Sequence, residues 1–188
     1  MNPVVQAQLK AFSEVNSAIE FSQLEFFEVF SIYSISNGLL TEDVDPFKVH
    51  LQGDEFGIDG VSILIQGELC TNSDEVASAL QSGKNHSVEF SLYQAKTSEN
   101  ANYGEMAKFF DGAYCFFEGT FLNPSKQLQD TIDAKDAVYS AALKRNPSLK
   151  LFYATTGKGD ISCLIQKLID ATIARLSDLN IFDDVEIK

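Results

Sequence analysis

The sequence predicts an α/β (α+β) fold, a mixed central sheet flanked by helices, on three observations. Short apolar runs rich in β-branched and aromatic residues recur at 61–65, 87–96, 149–155 and 185–188. Stretches with apolar residues at helical spacing separate them. Strands interleaved with helices bury their apolar faces by packing a sheet against helical layers. At 188 residues, 45% of them apolar, the chain suits one domain over 1–188 with a sizeable core.

Each element has local grounds. Residues 3–20 place Leu9, Phe12, Val15 and Ile19 at helical spacing. Residues 22–36 are apolar on almost every face, the pattern of a helix buried all round. Ser22 with Glu25 three positions on makes a capping box, and Asn37-Gly38 ends that helix. Residues 47–52 read as a short strand. Val61–Ile65 and the segment around Glu68-Leu69-Cys70 read as strands about a turn at Gln66-Gly67. Ser73 starts a short helix that runs through Leu80 and that Gly83 ends. After the strand at 87–96 come helices at 103–118 and 124–145, the second stopped by Pro147. Residues 149–155 form a strand and Thr156–Asp160 a loop. Residues 161–178 form a helix with Ile165, Ile169, Ile173 and Leu176 on one face. Val185–Lys188 reads as the start of a last strand. Because the chain stops inside it, the sequence is expected to be the front part of a longer protein.

Composition narrows the function. No run approaches the roughly 20 apolar residues of a membrane span, and no basic region followed by an apolar run marks a leader. Three cysteines, Cys70, Cys115 and Cys163, lie far apart without a Cys-x-x-Cys. They read as reduced, buried thiols of a cytoplasmic protein. With His50 and His86 the sole histidines, a structural zinc site is not expected. The net charge of −13 is opposite to that of most nucleic-acid binders. Contact with DNA therefore calls for a local basic patch, a metal or another domain.

The chemistry concentrates at two places. Asp59 sits in Gly-Asp-Glu-Phe-Gly-Ile-Asp-Gly (53–60), where glycines on both sides leave room for a ligand. A carboxylate there can hold a hard cation such as Mg²⁺, or simply cap its own turn. The strand at 87–96 ends in Gln94-Ala95-Lys96, and strand alternation points Gln94 and Lys96 to one side and Ala95 to the other. Gln94 can lend an amide oxygen to the same cation. Lys96 can orient an attacking water or stabilise charge on a phosphate. Both can equally be polar side chains at a strand end. Glu28 completes the set: a carboxylate flanked by Phe27, Val29, Leu24 and Ile32 is costly unless paired or bound to a cation. Its competitor Glu25 is accounted for by the capping box.

Other candidates need less. Glu89 has the strand parity opposite to Gln94 and Lys96. Asp54 and Glu55 can assist a metal but read better as loop residues. Thr155-Thr156-Gly157-Lys158-Gly159 lacks the spacing of a phosphate-binding loop. Neither histidine falls in a recognisable Ser/His/Asp or Cys/His constellation.

Taken together, these segments resemble a known fold family. A helix bearing Glu28, strands preceded by Asp59, a strand ending in Gln94-x-Lys96, then a helix and the strand at 149–155 look like the PD-(D/E)XK, restriction-endonuclease-like nuclease fold. The Gln-x-Lys form is similar to the variant in Mrr-type restriction endonucleases. More narrowly, Gly57-Ile-Asp-Gly60, Tyr93-Gln-Ala-Lys-Thr-Ser98 and Tyr153-Ala-Thr-Thr-Gly157 resemble the N-terminal region of the abortive-infection phage-resistance (AIPR) family over roughly residues 20–160. The resemblance implies metal-dependent cleavage of nucleic acid, DNA more than RNA, in anti-phage defence. It assigns Mg²⁺ (or Mn²⁺) to Asp59, Gln94 and Glu28, and makes Lys96 the catalytic lysine. Some such folds act as homodimers to cut both strands. Gln94 replaces the acidic residue of the commoner motif, which removes one negative charge from the metal site. The alternatives are a nuclease fold with a decayed site that serves as an acidic interaction module, and an acidic DNA mimic.

Overall fold

The computed structural model describes residues 2–39, 44–53, 55–81, 86–141, 143–157 and 161–188. Five strands, β1 (Gly60–Ile65), β2 (Glu68–Cys70), β3 (Val88–Lys96), β4 (Ser148–Thr155) and β5 (Asp184–Ile187), form one mixed sheet in the order β2-β1-β3-β4-β5. The β1 strand is antiparallel to both β2 and β3, and β3, β4 and β5 run parallel. Helices α1 (Pro3–Val15), α2 (Gln23–Leu39) and α3 (Pro46–Val49) lie on one face. Helices α4 (Ser73–Leu80), α5 (Tyr103–Glu118), α6 (Lys126–Ser140) and α7 (Cys163–Ser177) contribute the apolar faces that cover the other. This is the mixed, helix-flanked sheet that the sequence predicts.

Strand alternation divides the core between the two faces. Val61, Ile63 and Ile65 of β1, Phe90 and Leu92 of β3, and Leu149 and Leu151 of β4 pack against Phe109, Phe116, Leu128, Val138 and Ile165 from the second helical layer. The intervening Leu64, Tyr93 and Phe152 meet Ile32 and Val49 on the first. At the far end of β3, Ala95 packs with Leu9 and Phe27. The central strand is therefore buried on both sides, and its last residues are delivered to a fixed place.

Local chemistry moves several boundaries. The first helix stops at Val15 rather than 20, because the Asn16 side chain donates to the Phe12 carbonyl at 2.8 Å and closes it. Ser22 and Glu25 do form the reciprocal capping box of α2, at 2.7 and 3.2 Å. That helix runs through Asn37-Gly38 to Leu39; the Asn37 side chain donates back to the Tyr33 carbonyl and Gly38 keeps a negative φ. Nor is it buried all round. Phe27, Val29 and Ile32 are buried, whereas Leu24 and Tyr33 are 55% and 43% exposed. The strand expected at 47–52 is instead α3. Asp45 caps it by accepting from the Phe47 N–H, Pro46 opens it, and only His50 bridges to Gly60. Helix α6 begins after its Ser125 cap and ends at Ser140, short of Pro147. Helix α7 begins after the Ser162 cap. The cysteines are all free; Cys70 is buried, but Cys115 is half-buried and Cys163, first in α7, is exposed, against the expectation of buried thiols. Among the described residues no helix is long and apolar enough to cross a membrane. Gly83, Asp54 and Lys158–Asp160 lie outside the described residues.

Phe90 is fully buried on β3, edge-on to Phe117 at 5.3 Å and stacked on Tyr139 at 5.8 Å. Phe90→Ala should lower the unfolding free energy by about 3–5 kcal/mol in urea titrations. Leu122→Ala, at a position 83% exposed, should change it by less than about 0.5 kcal/mol.

Candidate functional site

Asp59 is placed by backbone pairing. It directly precedes β1, its N–H donates to the Tyr93 carbonyl at 2.8 Å, and its own carbonyl accepts from the Leu51 N–H at 2.9 Å. Its carboxylate Oδ2 accepts the Ala95 N–H at 2.7 Å. The start of β1 and the end of β3 are thus joined through one acidic side chain, which is 9% exposed. Burial pushes its titration up to about 7 against the pull of the Ala95 hydrogen bond; the Glu28 charge pushes the same way, and Lys96 and His50 oppose it. Asp59 is therefore not a turn residue capping its own backbone. It is a buried carboxylate with too little positive charge around it.

Gln94 and Lys96 face the α5 side, as strand alternation requires, with Ala95 turned to the α1–α2 layer. Gln94 is 1% exposed. Its amide occupies the space beside Gly57, where an added Cβ would sit 2.5 Å from Nε2. Gly57 also has φ +77°, so both its backbone and its neighbour require glycine. Gln94 Oε1 is buried without a hydrogen-bond partner, a state that costs about 1–3 kcal/mol. The Lys96 ammonium reaches Glu105, in the first turn of α5, at 3.5 Å. With side chains 29% and 51% exposed, this pair is worth no more than about 1 kcal/mol, so Lys96 can leave it for another anion.

Glu28 comes from the opposite layer, on α2. It is not an unpartnered acid: Oε2 lies at hydrogen-bond distance, 2.8 Å, from His50 Nε2. His50 is 1% exposed, with Phe21 packed at 5.4 Å. Nothing in the one-dimensional pattern marks His50. The α3 turn and the pairing of His50 with Gly60, next to Asp59, bring it to Glu28. Asp59 is the point at which the charges of Glu28, Lys96 and His50 all act.

The remaining candidates have structural partners. Glu55 accepts from the Ser125 N–H at the start of α6. Glu89 pairs with Lys150 at 2.5 Å. The Tyr153–Gly157 segment clamps the connection after β3: Thr156 Oγ1 donates to the Thr97 carbonyl at 3.1 Å and its N–H to that of Ser98 at 3.0 Å. Gly157 lies so close to the Glu99 carbonyl that a side chain would overlap it.

The oxygens of Asp59 and Glu28 and the unpartnered amide oxygen of Gln94 are hard donors whose chemistry suits Mg²⁺ or Mn²⁺. Among the described residues no group of three or more His, Cys, Asp or Glu side chains is gathered as a metal cage, so a cation here would rely on the amide oxygen. No family model, curated protein or solved structure matches the chain.

The raised titration of Asp59 sets a sign. A carboxylate that holds its proton more tightly when folded adds stability below its unfolded value of 3.8, and that contribution is lost as pH rises through about 7. Asp59→Asn should therefore be more stable than the parent at pH 8, by a few kcal/mol as an order of magnitude. The gain should shrink towards zero near pH 4 in urea unfolding followed across pH.

Proposed function

We propose that this protein is a metal-dependent nuclease that hydrolyses phosphodiester bonds of nucleic acid, DNA more than RNA, in defence against phage. One observation carries the reading. The buried Asp59 carboxylate is bonded to the backbone between Gln94 and Lys96, with Glu28 and Lys96 in electrostatic reach. Such a constellation, at the end of the central strand of a mixed sheet, is what the resemblance to PD-(D/E)XK and AIPR nucleases implies. Asp59, Glu28 and Gln94 Oε1 would be the residues to hold the metal, Mg²⁺ or Mn²⁺. When bound, it supplies a Lewis acid that polarises the scissile phosphate and activates a water. Lys96 stabilises the charge that gathers on the phosphate oxygens and holds the attacking water by hydrogen bond. Its weak tie to Glu105 lets it turn to the substrate. Gln94 contributes orientation without charge, which makes the cation site less anionic than one built from three carboxylates.

A second reading, an acidic interaction module on a nuclease-like fold, draws on the net charge of −13 and on the neutral Gln94. Isothermal titration with Mn²⁺ and cleavage of labelled DNA and RNA separate the two. The nuclease reading expects cleavage that stops on chelation. It also expects Asp59→Ala to lose both metal binding and cleavage, and Lys96→Ala to keep metal binding while cleavage falls by about 10²-fold or more. A parent protein that neither binds Mn²⁺ nor cuts, or variants that cut as well as the parent, overturns it in favour of the module.

A further inference from the structure

We infer that His50 is a positioning residue that orients Glu28 as a cation ligand, a role that rests on the nuclease reading above. The ring is built into the fold rather than laid on it. The His50 N–H donates to the Pro46 carbonyl at 3.0 Å, its carbonyl accepts from Gln127 Nε2 at 2.6 Å, and its backbone bridges Gly60. The next residue, Leu51, donates to the Asp59 carbonyl at 2.9 Å. One short segment therefore sets the distance between the His50 ring and the Asp59 backbone, and α3, α6 and β1 all hold it. A carboxylate oxygen accepts, so the 2.8 Å contact between His50 Nε2 and Glu28 Oε2 is the hydrogen bond of the tautomer with its N–H at Nε2.

The geometry has a chemical consequence. Glu28 extends from α2 across to the sheet through a side chain with several rotatable bonds, and it is partly exposed at 15%. Unrestrained, its carboxylate would sample positions away from Asp59, driven by like charge. The His50 bond fixes Oε2, so the second oxygen, Oε1, is the one left to bind. A fixed imidazole behind a ligating carboxylate is how outer partners lock ligand orientation and raise ligand strength. A surface pair could not do this; the His50 ring is 1% exposed with Phe21 packed against it, which restricts its movement.

The test compares His50→Gln, whose amide N–H can stand in for Nε2–H, with His50→Leu, which cannot donate. Each is made in the parent and in a Glu28→Gln background. The readouts are the Mn²⁺ dissociation constant by calorimetry, cleavage rate at saturating metal, and thermal midpoint. Orientation predicts that His50→Leu weakens Mn²⁺ binding by about 10–100-fold and His50→Gln by less than about 3-fold. It also predicts that neither change has a further effect once Glu28 is Gln, since the carboxylate that His50 orients is already gone. In the metal-free parent, the imidazole ¹⁵N shifts should report protonation at Nε2 and should move in Glu28→Gln. A folded His50→Leu that binds Mn²⁺ as tightly as the parent overturns the inference and leaves the nuclease reading standing. So does a His50 effect of equal size in the Glu28→Gln background, which would make the role one of stability alone. A parent that binds no Mn²⁺ overturns both.

Discussion

The hydrogen bond from the Ala95 N–H to the Asp59 carboxylate is the constraint around which the site end of the molecule is arranged. A carboxylate that is 9% exposed must be compensated, and here one backbone donor carries most of that task. The bond requires β1 to begin beside the last residues of β3, so it ties strand register to site geometry. The register that pairs Gly60 with Tyr93 brings Asp59 level with the Gln94-Lys96 end. A slip by one residue would turn Gln94 and Lys96 into the α1–α2 layer and Ala95 towards α5.

Burial on both faces of β3 makes that register hard to change. Phe90 and Leu92 belong to the core under α5 and α6, and Tyr93 to the core under α2. The polar residues start where the apolar ones stop. The result is a rigid strand whose terminal side chains hold positions that water alone would not favour, with an unpartnered amide oxygen on Gln94 and an undercompensated acid at Asp59. Both costs fall at the same end of β3, beside Lys96.

Much of this is legible in the sequence. Alternation placed Gln94 and Lys96 on one side of a strand, and the apolar setting of Glu28 marked it as needing a partner. The partner was not legible. His50 sits in a stretch that reads as a strand, yet Asp45 and Pro46 start a single helical turn that redirects the chain. Only the bridge to Gly60 then brings its ring to Glu28. Likewise Tyr153–Gly157 reads as a motif, but its visible work is to fasten the β3–α5 connection.

By itself, the sequence determined the elements whose causes are local: the capping box of α2, the apolar strands, the helix caps, and the parity of Gln94, Ala95 and Lys96. Those follow from spacing and from side chains that bond within a few residues of themselves. Tertiary structure alone decided that a histidine from α3 meets an acid from α2, that Asp59 is bonded to Ala95 rather than to its own turn, and that Lys96 is tied to Glu105. Each of those depends on sheet register and on helices packed from opposite faces. The electrostatics of a buried carboxylate depend on every charge within reach, and sequence order does not say which charges those are.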